Sequence, residues 1–340
     1  MNSQILKDTI RQLFTNDKGL LAMDESTGTC NKRFAAAGIP QTVEMRRNYR
    51  ELIITTPRLN ESIGGVILYD ETIRQQTKNG IPFTDILTKE KIIPGIKVDM
   101  GAKPMAGFQG EKITEGLDGL RDRLAEYKKI GARFAKWRAV IAIENSIPTL
   151  ACIEANVHAL ARYAGLCQEA VIVPVVEPEV LMNGDHTLQR CYEVSQQVLK
   201  MLFYQLYNYK IDIEGIILKP NMITAGTENS MQNSIAEVAE ATVNCLLKCV
   251  PGAVPAIAFL SGGQSPQAAS EHLNAINKNL KKLLPWILSF SFARAIQQPA
   301  IELWKGDEAN LEEAQKLLYH RAKCDVAARR GEYNKEMENM

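Results

Sequence analysis

The chain has 340 residues, 46% of them apolar, and its 40 basic and 39 acidic side chains leave a formal net charge of +1. That size and composition suit a globular protein with a large core. A near-neutral balance supplies no global field for nucleic acid or an anionic membrane, so an anionic ligand has to be gripped by a local group of cations.

The opening stretch, MNSQILKDTIRQLFTND, sets Ile5, Leu6, Ile10, Leu13 and Phe14 at helical spacing and predicts a helix over about 2–14. Charges interrupt it, so it lacks the apolar core of a signal peptide. Nowhere does the chain approach the roughly 18 uninterrupted apolar residues of a membrane span. From there a short β-type apolar run followed by a longer amphipathic segment recurs: KGLLAMDES, GGVILYDE, IIPGIKVD, ARFAKWRAV, VIVPVVEPE, EGIILKP, AVPAIAFLSGG and WILSFSFAR. Alternating strand and helix predicts a parallel sheet with helical crossovers. Eight such units predict closure into a (β/α)8 TIM barrel, a single α/β domain over 1–340 with about 328–340 as a flexible C-terminal segment. The first strand-to-helix turn, MDESTGTCNKR, lacks the GxGxxG dinucleotide fingerprint.

Each run is apolar at its start and polar at its end, where barrel strands converge on one mouth. Residues two apart on a strand share a face, which pairs Lys136 with Arg138 and Glu177 with Glu179. The mouth is then expected to hold Lys97, Lys136, Arg138, Lys219 and Arg294 against Asp24, Glu177 and Glu179. That surplus of two positive charges suits a substrate carrying two phosphates, each near −1.5 to −2. A lone strand-end lysine is more often a solvated end, but three at the same end of three strands have no evident structural purpose. LSGGQS (Ser261, Gly262, Gly263) and SFAR (Ser291, Ala293, Arg294) are turns suited to phosphate, after the seventh and eighth runs.

Four histidines (His158, His186, His272, His320) show no HxH, HxxH or HExxH spacing, so no multi-histidine metal site is expected. His186 reads as a loop residue or cap. Seven dispersed cysteines form no CxxC pair and fit a reducing, cytoplasmic setting. Cys245 and Cys249 share a helix face and read as packed thiols.

LAMDESTGT, GGVILYDET, GIKVD, FAKWR, VPVVEPE, LKPNM, FLSGGQS and LNAINK occur in order from about Leu6 to Ala327. Together they resemble class I fructose-bisphosphate aldolase. The resemblance implies a metal- and cofactor-free barrel that cleaves fructose 1,6-bisphosphate to dihydroxyacetone phosphate and glyceraldehyde 3-phosphate and runs the reverse condensation. It further implies Lys219 as the Schiff-base lysine, Glu177 as the acid/base of imine formation and Glu179 as a supporting carboxylate. Asp24 handles the C4 hydroxyl proton and Lys136 is a neighbouring cation. Ser261, Gly262 and Arg294 correspond to one phosphate site. Ser26, Lys97 and Arg138 correspond to the other end of the substrate, with Lys32 and Arg33 in the adjoining loop. A homotetramer or homodimer is implied, with a sugar bisphosphate and neither nucleic acid nor membrane as partner. The chain departs from the family at Ala293, where glycine is frequent, and at Thr29, where serine is. Tyr333 is internal to the sequence, so the proton-transfer role of a tail-end tyrosine in animal members is not expected of it.

The chemistry requires these types. A carbanion left by C3–C4 cleavage needs a protonated imine as electron sink, and only a primary amine forms one. With an ordinary value near 10.4, a lysine needs a drop of roughly three units to be about half neutral at pH 7. Loss of water from the carbinolamine needs an acid that returns as a base, and a Glu177 carboxyl raised by Glu179 is expected to serve. Other Schiff-base barrels, such as transaldolase or deoxyribose-phosphate aldolase, are the rival enzymes. A barrel retained only to bind cytoskeletal or transporter partners is the rival of another class, and it would have lost the lysine or carboxylates.

Overall fold

A computed structural model describes residues 2–280 and 284–339; Met1 and Met340, the limits of the expected domain, lie outside it. All eight apolar runs are strands: β1 Gly19–Met23, β2 Ile63–Leu68, β3 Ile93–Lys97, β4 Phe134–Ile141, β5 Val173–Val180, β6 Ile217–Leu218, β7 Ala256–Phe259 and β8 Ile287–Phe292. They pair in parallel in chain order, and β8 closes on β1 through Leu20↔Ser291 and Leu21↔Phe292. The chain is a closed eight-stranded barrel wrapped by helices.

Side-chain alternation divides each strand between two cores. Leu20, Ala22, Ile67, Ile93, Phe134, Val173, Val175, Ile217, Ala256 and Ala258 fill the barrel interior. Leu21, Val66, Ile96, Ala135, Trp137, Val176, Leu218 and Ile257 face outward against the helices. The helix Asn2–Phe14 lies where its periodicity placed it, and its buried face (Leu6, Ile10, Leu13, Phe14) joins the interior cluster, closing the barrel at the strands' N-terminal end. Glycines make this closure fit. A Cβ on Gly64 would come within 1.9 Å of the Leu13 carbonyl oxygen, and one on Gly95 within 2.3 Å of the Phe134 ring.

Outer helices begin at sequence-encoded caps: Thr149 for Leu150–Glu169, Thr187 for Leu188–Asn208, and a Ser234/Glu237 capping box for Ile235–Cys249. His186, expected in a loop or as a cap, is in the loop; the cap is its neighbour Thr187. A short antiparallel ribbon, Ala102–Pro104 with Lys112–Thr114, was not anticipated. It is tied down by Glu111, which accepts hydrogen bonds from Thr149 N and Oγ1. Beyond helix Leu311–Arg330, the expected flexible segment docks on helix Pro266–Leu280. Tyr333 is buried, its N–H donating to Asn274 Oδ1 at 3.0 Å, and Glu338 accepts two 2.6 Å hydrogen bonds from buried Arg321. Among the described residues no helix is long and apolar enough to cross a membrane.

Candidate active site

The inward parity of each strand continues past its apolar part into charge. Asp24 follows Ala22 by two, Lys136 follows Phe134, Glu177 follows Val175 and Lys219 follows Ile217, so all four point into the mouth above the interior core. All four are buried. Lys136 Nζ lies 2.8 Å from Asp24 Oδ2 and 3.0 Å from Glu177 Oε2, and Lys219 Nζ lies 3.2 Å from Glu177 Oε1. Buried charges persist only when paired like this. Glu177 Oε2 meets Lys136 as an ion pair without hydrogen-bond alignment, and a buried carboxylate oxygen is left able to accept.

Burial alone would raise the Asp24 carboxyl, but Lys136, Lys219 and Lys97 outweigh it and hold the group well below the usual carboxylate range. Burial acts on Lys136 in the opposite sense and is likewise outweighed, by Asp24 and Glu177, so the ammonium is held firmly protonated. Glu177 corrects the sequence expectation. Burial favours its neutral form, yet Lys136, Lys219 and Arg138 together bring the carboxyl below its ordinary value. Glu179, expected to raise it, is neutralised by its own ion pair with Arg138 Nε.

Lys97 Nζ is 3.1 Å from Asp99 Oδ1 and 5.6 Å from the centre of the Tyr69 ring. Asp99 also accepts from the backbone N–H of Arg138 and Gly101. It was absent from the sequence-derived set, although its spacing two residues after Lys97 was the available signal. Counting it, the five cations face four carboxylates and the expected surplus of two charges becomes one.

After β7, Ser261 is buried and Gly262 and Gly263 take φ of +56° and +99°, a left-handed turn that glycine tolerates. A Cβ on Gly263 would lie 3.2 Å from Arg294 Nη2, so this guanidinium sits against the turn. Arg294 opens helix Arg294–Trp304, and Ala293 before it has a negative φ of −111°, so glycine's left-handed freedom is not used there. The Ser291 hydroxyl, buried on β8, has no hydrogen-bond partner among the described residues. On the other side, Ser26 caps helix Thr27–Ala36 by accepting from Thr29 N, and Lys32 is exposed. Arg33, expected beside Lys32 at the substrate, instead donates to Glu25, Tyr49, Gln297 and Gln298. Glu25, a second residue missed from sequence, is shared with buried Arg50. Among the described residues no group of three histidine, cysteine, aspartate or glutamate side chains is placed to hold a metal ion.

The closed barrel with a buried lysine–carboxylate cluster at its mouth defines a (β/α)8 enzyme. The chain matches the class-I fructose-bisphosphate aldolase family model over residues 5–340. It is 53% identical to the "Probable fructose-bisphosphate aldolase class 1" of Xylella fastidiosa (strain Temecula1 / ATCC 700964), over 98% of this chain and 99% of that one. It is 46% identical to the muscle-type fructose-bisphosphate aldolase of Lethenteron camtschaticum, over 96% and 90%. The fold superposes with a TM-score of 0.95 on the Plasmodium falciparum aldolase solved with TRAP and a small-molecule inhibitor, at 42% identity over 98% of this chain and 96% of that one. The chain belongs to the class I fructose-bisphosphate aldolase family: it is a lyase that cleaves fructose 1,6-bisphosphate through a lysine Schiff base in glycolysis.

Proposed function

We propose that Lys219 is the Schiff-base amine, and the observation that carries this is its buried Nζ 3.2 Å from Glu177 Oε1. Glu177 takes one proton from the ion-paired Lys219 ammonium as the freed amine attacks the C2 carbonyl. A second nitrogen proton passes to the C2 oxygen to give the carbinolamine, and Glu177 then returns its proton to that hydroxyl, which leaves as water. Glu177 begins ionised, so it serves first as base and only then as acid. The protonated imine draws the C3–C4 electron pair toward nitrogen as Asp24 accepts the C4 hydroxyl proton and the aldehyde departs. Asp24 is held ionised by Lys136 before substrate arrives. Glu179 fixes Arg138.

Ser261, Gly262, Gly263, Ser291, Ala293 and Arg294 form one phosphate end. The unpartnered Ser291 hydroxyl and the turn against Arg294 support this. Ser26, Lys97 and Arg138 form the other end, with Lys32 at its rim, while Arg33 braces the loop through Glu25. A surplus of one charge does not neutralise two phosphates; backbone N–H groups of the glycine turn and the N-terminus of helix Arg294–Trp304 supply the rest.

Stretching the ketose between these ends sets the reacting carbons among Lys219, Glu177 and Asp24. The reaction runs in both directions in the cytoplasm, serving gluconeogenesis as well, in a homotetramer or homodimer without nucleic-acid or membrane partners. The similarity, at 46% identity, to a cytosolic aldolase of Arabidopsis thaliana supports the location. Borohydride reduction in the presence of dihydroxyacetone phosphate should add the reduced ketose to the peptide carrying Lys219, and Lys219→Ala should abolish it. An adduct on any other lysine, or one that persists in Lys219→Ala, would refute the assignment.

A further inference from the structure

The turn that ends β7 is held from outside the mouth by a histidine that no step above uses. β6 and β7 are neighbours through Ile217↔Ala256 and Leu218↔Ile257, and Leu260 N donates to Pro220 O at 3.1 Å. The Ser261–Gly263 turn therefore runs beside the segment that leaves Lys219. Gln264 closes the turn, its N–H donating to Ser261 O at 2.9 Å.

The Gln264 side chain spans two further elements. Its amide nitrogen is 3.8 Å from Met222 Sδ, three residues beyond Lys219, and its amide oxygen is 2.5 Å from His272 Nδ1. An amide oxygen only accepts, so Nδ1 carries the proton and donates. His272 stands on helix Pro266–Leu280 and is 8% exposed. Burial pulls its imidazole down to about 4, against a weaker opposing pull from Glu271, so the ring is neutral with its one proton on Nδ1. Two consecutive glycines at positive φ leave the turn without β-carbons of its own to restrict it. The Gln264 side chain ties this turn to the middle of helix Pro266–Leu280, while Ser265 caps the first turn of that helix by accepting from Ala268 N at 3.1 Å.

We propose that His272, acting through Gln264, is a positioning residue that holds the Ser261–Gly262–Gly263 turn in its phosphate-receiving conformation. The inference rests on the assignment of that turn to a substrate phosphate. Because the turn flanks the Lys219 segment, the phosphate concerned is the one nearest the imine carbon, which stays with the dihydroxyacetone half.

The test is steady-state kinetics in the condensation direction, varying each three-carbon phosphate at saturation of the other. His272→Ala, His272→Phe and Gln264→Ala should each raise KM for dihydroxyacetone phosphate about tenfold, the effect of losing one well-placed hydrogen bond. kcat and KM for glyceraldehyde 3-phosphate should stay within about twofold. His272→Asn, which keeps a donor near the Nδ1 position, should recover most of the loss. The His272→Ala/Gln264→Ala double variant should be no worse than either single, since both break one link. Unchanged KM for dihydroxyacetone phosphate in Gln264→Ala, additive effects in the double variant, or equal rises in both KM values would each overturn the proposal. Arg294→Ala separates the two levels. If it raises KM for dihydroxyacetone phosphate while Gln264→Ala does not, the phosphate assignment stands and the positioning role falls. If Arg294→Ala has no effect, the phosphate assignment falls and takes the positioning role with it.

Discussion

Replacing Lys136 by methionine keeps an unbranched side chain one heavy atom shorter and removes the charge that lies 2.8 Å from Asp24 and 3.0 Å from Glu177. Glu177 retains Lys219 at 3.2 Å, whereas Asp24 loses its only direct partner among the described residues. Leaving a buried charge without its partner costs about 3–5 kcal/mol. An unfolding entropy of about 2.1 cal/mol/K per residue gives roughly 0.7 kcal/mol/K for a chain of this length, so the melting temperature should fall by about 4–7 °C. The loss should also depend on pH. In the parent, Asp24 sits below the usual carboxylate range and stays ionised between pH 5 and 8. Its contribution is present above the unfolded value and is lost only as pH falls through the lower folded value. In the variant, burial dominates and raises the carboxyl, so protonation relieves the penalty as the pH falls. The stability gap between parent and variant, measured by urea denaturation, should therefore shrink from pH 8 to pH 5. kcat should fall by about 10²–10⁴-fold, the usual range for disturbing a positioned acid–base group. A gap that is flat or widens toward pH 5, or an unchanged melting temperature, would refute the electrostatic account.

Glu177→Gln should slow borohydride trapping of dihydroxyacetone phosphate by about 10²–10⁴-fold; a trapping rate equal to the parent's would remove Glu177 from the proton relay. Asp325, wholly buried and accepting from Ser270 Oγ at 2.7 Å, is pushed up to about 7 by burial, against the pull of Arg321. Its stabilising share is complete below about pH 4 and is lost as the pH rises to 7, so Asp325→Asn should gain on the parent across that window and hold a constant lead above it. A lead that does not grow with pH in chemical denaturation would contradict this. Leu13→Ala, at the barrel's closed end, should cost about 2–5 kcal/mol of stability while leaving kcat/KM unchanged; a matching loss of activity would mean that the two ends of the barrel are not independent.

The barrel was legible because strand order and polarity are written locally. Eight apolar runs with charged ends needed only parity to place Asp24, Lys136, Glu177 and Lys219 in one mouth. What depends on pairing across strands was not legible. Glu177 and Glu179 share a face, which suggested mutual repulsion, but the arginine two positions after Lys136 reaches over to Glu179 and cancels it. Arg33 and Lys32 are adjacent in sequence, yet helical rotation sends Arg33 toward Glu25 and Tyr49 and leaves Lys32 in solvent. Asp99 was left out of the mouth set; its Gly101 donor is local, but its second backbone donor, Arg138 on β4, is visible only once the strands are paired. The Ala102–Pro104 ribbon has three-residue arms with too little alternation to register.

Among the described residues, Phe134 and the Asn2–Phe14 helix form a floor, so the barrel is a cup that opens at the charged mouth. Traffic through it has to queue. On the proposed chemistry the aldehyde fragment is the one free to move once the carbon–carbon bond parts, while its twin stays tethered below, so the aldehyde clears the passage first. Only then can the electron-rich carbon take up a proton, restoring the protonated imine, and water reach the tether and release the second passenger.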